Sequence, residues 1–382
     1  MIRACSLVVA IALAIGALAG APVSRAAVDT IYLGDAVHSG GGSCADPDFS
    51  SAGGFSAAMM AALAAIDADG DTLVICNGDY TLTDEVVYDS EHSFTVRAES
   101  RRKVTIGGTT IFMSGCSPAV TVVGMHFDEI GEGFFCGEED MILTVLDSEF
   151  SGGGAVAWLN GPDDVYGRLR IVDSHIHHMT EIAIAYASSI ELYNSVYEQN
   201  VSVIGLYAPF NLELKRSRLD YNLGQLISVG ATSCLTVERS TLTANGQPND
   251  MVPEFEPGFM SAATLWTGSN IDLSCDSNVS NSRFKDNVAA LGGALVFVEP
   301  SGATVVKNNL FSGNRGLIAG AVGLCSNAPS RQMQTLARRV GNFKVNRYRG
   351  NEAVDRRANN VFLLTTTGDF ADWCVTWEIF GG

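Results

Sequence analysis

The chain has 382 residues and a formal net charge of −18, with 17% charged residues and 40 glycines. That balance argues against a nucleic-acid-binding surface, because phosphates demand a basic one. It also argues against unaided capture of an acidic polysaccharide, which would need a cation or a local basic patch.

Residues 1–26 read as a signal peptide: Arg3, an apolar run from Leu7 to Leu18, then small residues ending near Ala26. The apolar run is short for a membrane span and nothing later supplies one. The expected product is secreted or at the cell surface, with no span after signal removal. Cys5 leaves with the signal, so an even set of eight cysteines remains, as a disulfide framework in an oxidising compartment requires. None has the CxxC spacing of a zinc or redox centre.

Residues 27–110 read as an N-terminal cap and the first coils. "FSAAMMAALAAI" (Phe55–Ile66) is a short helix, apolar nearly all round, and "DGDTLVICNGDYTL" (Asp69–Leu82) reads strand, turn, strand. A helix over the open end of a solenoid hides sheet edges and core. Asp67, Asp69 and Asp71 suggest a calcium loop, but Thr72 and Gly78 stand where that loop needs other residues. A helix-terminating turn is the better reading.

From residue 111 to 382 the chain repeats itself at roughly 21 to 27 residues. The units include "LTVLDSEF" (Leu143–Phe150), "LRIVDSHI" (Leu169–Ile176), "IELYNSVY" (Ile190–Tyr197), "LELKRSRL" (Leu212–Leu219) and "LTVERSTL" (Leu235–Leu242). Each ends on an aromatic or aliphatic anchor, and the anchors run Phe127, Phe150, Ile176, Tyr197, Leu219, Leu242, Phe284, Phe311, Tyr348. Three residues past six of them stands Asn200, Asn222, Asn245, Asn287, Asn314 or Asn351. Apolar residues alternate at period two before a two-residue turn, which is strand logic. Three short strands per repeat describe one coil of an all-β, right-handed parallel β-helix, here of about eight or nine coils. Anchors would stack as rungs. The Asn residues would take left-handed geometry and pass their amides from coil to coil, and Gly and Ala would ease the bends.

The register also aligns the cysteines. Cys234 and Cys275 fall almost in one column of adjacent coils, so they are expected to pair. By proximity, Cys44–Cys76, Cys116–Cys136 and Cys325–Cys374 follow.

The outward positions beside the anchors collect chemistry. His126, Glu149 and His175 form one column, and Asp128, His177, Glu198 and Asp220 lie in the next, with Arg218 alongside. Acid, base and cation-binding types therefore share one face. The plainer reading is that outward strand positions are polar and opposite signs stack favourably. The repeat is interrupted near 245–260 by "NGQPNDMVPEFEPGFM", whose Asp250, Glu254 and Glu256 supply acid and whose Phe255 and Phe259 suit a sugar ring. A second interruption, near 326–342, opens a basic tract that runs from Arg331 to Arg357. It suits an anionic surface, or a cover for the last coils.

"DTLVICNGDYTL" resembles the opening phrase of secreted right-handed β-helix proteins of the pectate-lyase-like superfamily. "FKDN…GGAL" and "FSGN…AGAV" are similar to the FxxN and GGA repeats of polymorphic outer-membrane proteins, which are adhesins and autotransporter passengers. The superfamily resemblance implies polysaccharide lyases, hydrolases or epimerases. "GPDD" (Gly161–Asp164) resembles part of the polygalacturonase set, while the other pieces of that set are absent.

The leading expectation from sequence is non-catalytic binding of an extracellular polysaccharide or surface protein, in the manner of an adhesin. The rival is a polysaccharide lyase or glycoside hydrolase, with His175, His177 and Glu254 as catalytic candidates. Asp128, Glu198, Asp220, Asp250, Phe255 and Glu256 are the binding candidates. No cofactor is expected, although the lyase reading leaves calcium open.

Overall fold

The computed structural model describes residues 28–365 apart from 37–40, 90, 110, 115–118, 137–141, 160–166, 186, 202–210, 223–233, 247–262, 268–276, 290–291, 299–303, 317–318, 327–330 and 354–358. Among the described residues every strand pair between coils is parallel, and the chain is a parallel β-solenoid. One sheet of 12 strands runs from Phe49–Ser50 and Thr30–Gly34 at one end to Val305–Lys307 at the other. A second sheet carries the anchors. A third, of 4 strands, closes the C-terminal coils with Ala263–Thr267, Gly292–Val298, Val322–Ser326 and Val361–Thr365.

The alternation read from sequence is the alternation of burial. Leu143/Val145, Leu169/Ile171, Ile190/Leu192, Leu212/Leu214 and Leu235/Val237 are all buried, and the residue between each pair faces outward. Inside, the anchors pair rung to rung in the order expected, from Phe127 through Phe150 and Ile176 to Tyr348. Two more rungs, Tyr80 and Ile106, extend the stack toward the N-terminus. Like stacks on like where it can: ring centroids are 4.5 Å apart for Phe127–Phe150 and 4.9 Å for Phe284–Phe311. That spacing is the interstrand repeat of a parallel sheet.

Two corners set the register. At the first, a residue with positive φ (Asp147, Asp173, Asn194, Arg216, Arg239, Asn281 or Asn308) is followed by a buried Ser or Asn. Ser174 Oγ, for example, accepts the Ser148 N–H and donates to Val172 O, so the serines bond one coil to the next. At the second corner the asparagines form the expected amide ladder. Each Nδ2 donates to the next Oδ1, at 2.9, 2.8, 3.0, 2.9 and 2.9 Å from Asn200 to Asn351. The left-handed residue is not the Asn, as expected from sequence, but the one before it: Gln199, Tyr221, Ala244, Asp286, Gly313 or Gly350. The positive φ there turns the chain so that the Asn side chain points inward, where burial makes its hydrogen bonds obligatory. The glycine pair of "GGAL" answers to close approach. A Cβ on Gly293 would lie 2.3 Å from Gly320 O of the next coil.

The ends are capped. Helix α1 (Phe55–Ala64) buries Phe55, Met59, Ala62 and Leu63 over the first coil, and Phe55 stacks on Tyr80 at 4.5 Å. Asp71, from the acidic loop, is fully buried and accepts from the N–H groups of Asp29, Asp67 and Ala68. It therefore organises a turn. At the other end helix α2 (Arg331–Val340) buries Leu336 and Val340, and Arg339 Nη2 donates to Thr304 O. That part of the basic tract covers the last coils. Cys44 and Cys76 are bonded as expected, tying the N-terminal segment to the first coil. Cys234 is also in a disulfide, and Cys275, the partner expected from sequence, lies outside the described residues. The Cys116–Cys136 and Cys325–Cys374 pairings likewise fall outside them.

Candidate functional site

The outer face of the anchor sheet places its residues in two registered columns. His126, Glu149, His175, Val196 and Arg218 pair in one, and Asp128, Ser151, His177, Glu198 and Asp220 in the other. Each strand here is short, such as His175–His177, Val196–Glu198 and Arg218–Asp220. Its central residue points inward, so both neighbours must point to solvent. All eight columnar residues expected from sequence (His126, Asp128, Glu149, His175, His177, Glu198, Arg218 and Asp220) thus share one face. Asp250, Glu254, Phe255 and Glu256 lie outside the described residues, as does Gly161–Asp164.

The side chains interlock across rungs. Ser151 Oγ donates to Asp128 Oδ1 at 2.6 Å and lies 2.9 Å from His126 Nε2. A serine that gives its proton to a carboxylate can only accept from the imidazole, so His126 carries its proton on Nε2 and its lone pair on Nδ1. His175 Nε2 lies 3.0 Å from Glu198 Oε1, which fixes the same tautomer by the same logic. Arg218 then bridges Glu198 Oε2 at 3.3 Å and Asp220 Oδ2 at 2.6 Å.

His177 has a different environment. Its Nε2 lies 3.2 Å from Glu149 Oε1, and its Nδ1 lies 2.8 Å from Nδ1 of His178. Two ring nitrogens in contact need one N–H and one lone pair, so the pair shares a single proton. His178 reaches back because it occupies the left-handed corner, with φ of 58°. Glu149 is also 3.9 Å from Arg102 Nη1. Burial pushes its carboxyl up, but the hydrogen bond from His177 and the charges of His126, Arg102 and His175 outweigh that and hold it below the ordinary range. Asp220 goes the other way: burial raises it, against the pull of Arg218. Glu149, His175 and His177 offer ligand atoms that all lie within 4.8 Å of one another.

Ser151, His178 and Arg102 went unnoticed in the sequence. Ser151 was open to the register argument, since it fills the gap between Asp128 and His177. His178 follows from the corner rule once that rule is known. Arg102 comes from a turn in an earlier coil and carries no sequence signal. Further along the same face the rungs become basic, with exposed Arg283, Lys285, Arg347 and Arg349.

No family model and no curated protein matches the chain. Among solved structures it is similar to the PL6 family alginate lyase AlyGC, with a TM-score of 0.44 and 13% identity over 90% of this chain. It spans 40% of that protein's length. A PL6 alginate lyase complexed with a trisaccharide gives a TM-score of 0.31 and 12% identity, covering 89% of this chain and 95% of the other. A mannuronic acid specific polysaccharide family 6 lyase from human gut microbiota gives 0.30 and 12%, covering 85% and 92%. The likeness is one of coil shape, and nothing about chemistry follows from scores this low. No helix among the described residues is long and apolar enough to cross a membrane.

Proposed function

We propose that this is an exported polysaccharide lyase that cleaves a uronate-containing chain by β-elimination on the anchor-sheet face. The observation that carries the reading is the Asp128–Ser151–His126 relay, which engages Nε2 of the imidazole and leaves Nδ1 for a substrate proton. Opposite charges stacked for stability alone would not need a serine to fix the tautomer. The adhesin reading loses its main support, because the FxxN and GGA phrases are accounted for by rung, corner and close coil contact.

β-Elimination needs a base for the proton on the carbon beside the carboxylate, and positive charge to hold that carboxylate as electrons move onto it. His126 Nδ1 is the base and takes that proton. The C–H electron pair becomes the new C=C bond, the C–O bond to the leaving sugar breaks with its electron pair on the oxygen, and that oxygen takes a proton from water. Arg102, beside Glu149 on the rung next to His126, is the near positive charge, while the basic rungs at Arg283 and Lys285, further along the face, suit more distant sugars of a chain lying on it.

The test is kinetic. His126→Ala is expected to lower kcat at least about 100-fold with a smaller change in KM. Arg283→Ala, on a binding rung, is expected chiefly to raise KM. Unchanged kcat in the His126 variant would remove His126 as the base.

A further inference from the structure

We propose that Glu149, His175 and His177 bind a borderline transition-metal cation of the zinc type, with one coordination position open to water or a substrate oxygen. This goes beyond the lyase reading and stands on separate grounds. The first is geometry: Glu149, His175 and His177 each bring a ligand atom within 4.8 Å of the others, and His177 Nε2 lies 3.2 Å from Glu149 Oε1. A tetrahedral zinc site with metal–ligand bonds of about 2.0–2.1 Å separates its ligand atoms by roughly 3.3 Å, close to the His177–Glu149 distance.

The second ground is the ligand set. Two imidazoles and one carboxylate suit zinc and its neighbours, whereas calcium takes six to eight oxygens. The third is the support behind each ligand. Glu198 accepts from His175, His178 holds the far nitrogen of His177, and Arg102 lies beside the second oxygen of Glu149. Groups of this kind orient metal ligands and fix their tautomers. All three ligands are half-buried on rigid strands, with side-chain exposures of 26%, 30% and 17% for Glu149, His175 and His177, so solvent reaches the site.

The competing arrangement is a direct hydrogen bond from His177 to Glu149 with no metal between them, and the experiment separates the two. Full-length protein without a histidine tag is stripped with a chelator and titrated with zinc chloride. Heat and bound metal are measured, and cobalt(II) and calcium are run in parallel. The expected result is one equivalent of zinc per chain, visible absorption bands with cobalt, and no uptake of calcium. His177→Ala and Glu149→Gln each lose the equivalent, and Glu198→Gln weakens it roughly 10-fold. His126→Ala keeps it. Circular dichroism checks each fold, and if one ligand variant misfolds the other decides. Zinc uptake well below one equivalent, or a full equivalent retained in a folded ligand variant, overturns the proposal. Zinc uptake without turnover on any uronate would remove the lyase reading alone, and turnover by protein that binds no zinc would remove the metal site alone.

Discussion

Tyr197 shows how one atom can be misplaced in an otherwise regular stack. It occupies the anchor column between Ile176 and Leu219, and its hydroxyl is buried with no hydrogen-bond partner. Burial pushes its phenol far above the ordinary range, outweighing the opposing pull of Ser195. Tyr80 occupies the same column, but its hydroxyl donates to Cys76 O at 3.0 Å, and burial raises it to about 12. Removing an unpaired buried hydroxyl recovers its desolvation cost, while removing a paired one orphans its acceptor. Tyr197→Phe is therefore expected to raise unfolding free energy by about 1 kcal/mol and Tyr80→Phe to lower it by about 1 kcal/mol. Urea titration of the two variants measures both. At this scale the sequence was readable only for position: it put Tyr197 on a rung, but it could not say whether a hydroxyl on that rung finds a partner.

Corners and strands are the elements that repeat, and the Asn ladder is the most connected of them. Asn245 Oδ1 accepts from both the backbone N–H and the amide of Asn222, and its Nδ2 donates to Leu219 O and Asn287 Oδ1. Asn245→Ala strands several buried groups at once, so a loss of about 2–4 kcal/mol is expected by thermal or chemical denaturation. A cost under 0.5 kcal/mol would mean that water replaces the amide. On the outer face of the first sheet, Glu213 accepts from Tyr193 and Lys215. Burial raises its carboxyl, but those bonds outweigh burial and hold it below its ordinary value. A carboxyl lowered in the folded state binds fewer protons there than in the unfolded chain. Its contribution is thus present above the unfolded carboxylate pKa and fades as pH falls through the folded one. Glu213→Gln should flatten the acid limb of the stability curve and leave neutral pH relative to pH 5 little changed. Strands, anchors and the amide ladder were legible because period-two alternation and a recurring Asn are backbone requirements written directly in residue type. The left-handed position was not, because Gln, Tyr, Ala, Asp and Gly all occupy it; what selects it is the inward Asn that follows.

For the whole molecule, the solenoid and its N-terminal cap were legible because each repeat needs neighbours to bury its core and the first has none. The two columns were legible too, since register follows from the anchors. Their wiring was not. Whether His126 meets Ser151 or Glu149 depends on rotamers and on Arg102 from a distant turn, none of which leaves a periodic trace. Charge sharpens the functional account at this scale. A chain of −18 gathers exposed Arg283, Lys285, Arg347 and Arg349 on the same face as its imidazoles, and that gradient suits an anionic polymer lying along the rungs. The most direct measurement is turnover on a panel of polyuronates and neutral polysaccharides, followed by the ultraviolet absorbance of unsaturated uronate ends, with His126→Ala as control. The account predicts absorbance growing with at least one polyuronate, none with neutral chains, and its loss in the variant. No absorbance on any polyuronate, alongside retained glycan binding, would contradict it and return the solenoid to a non-catalytic role.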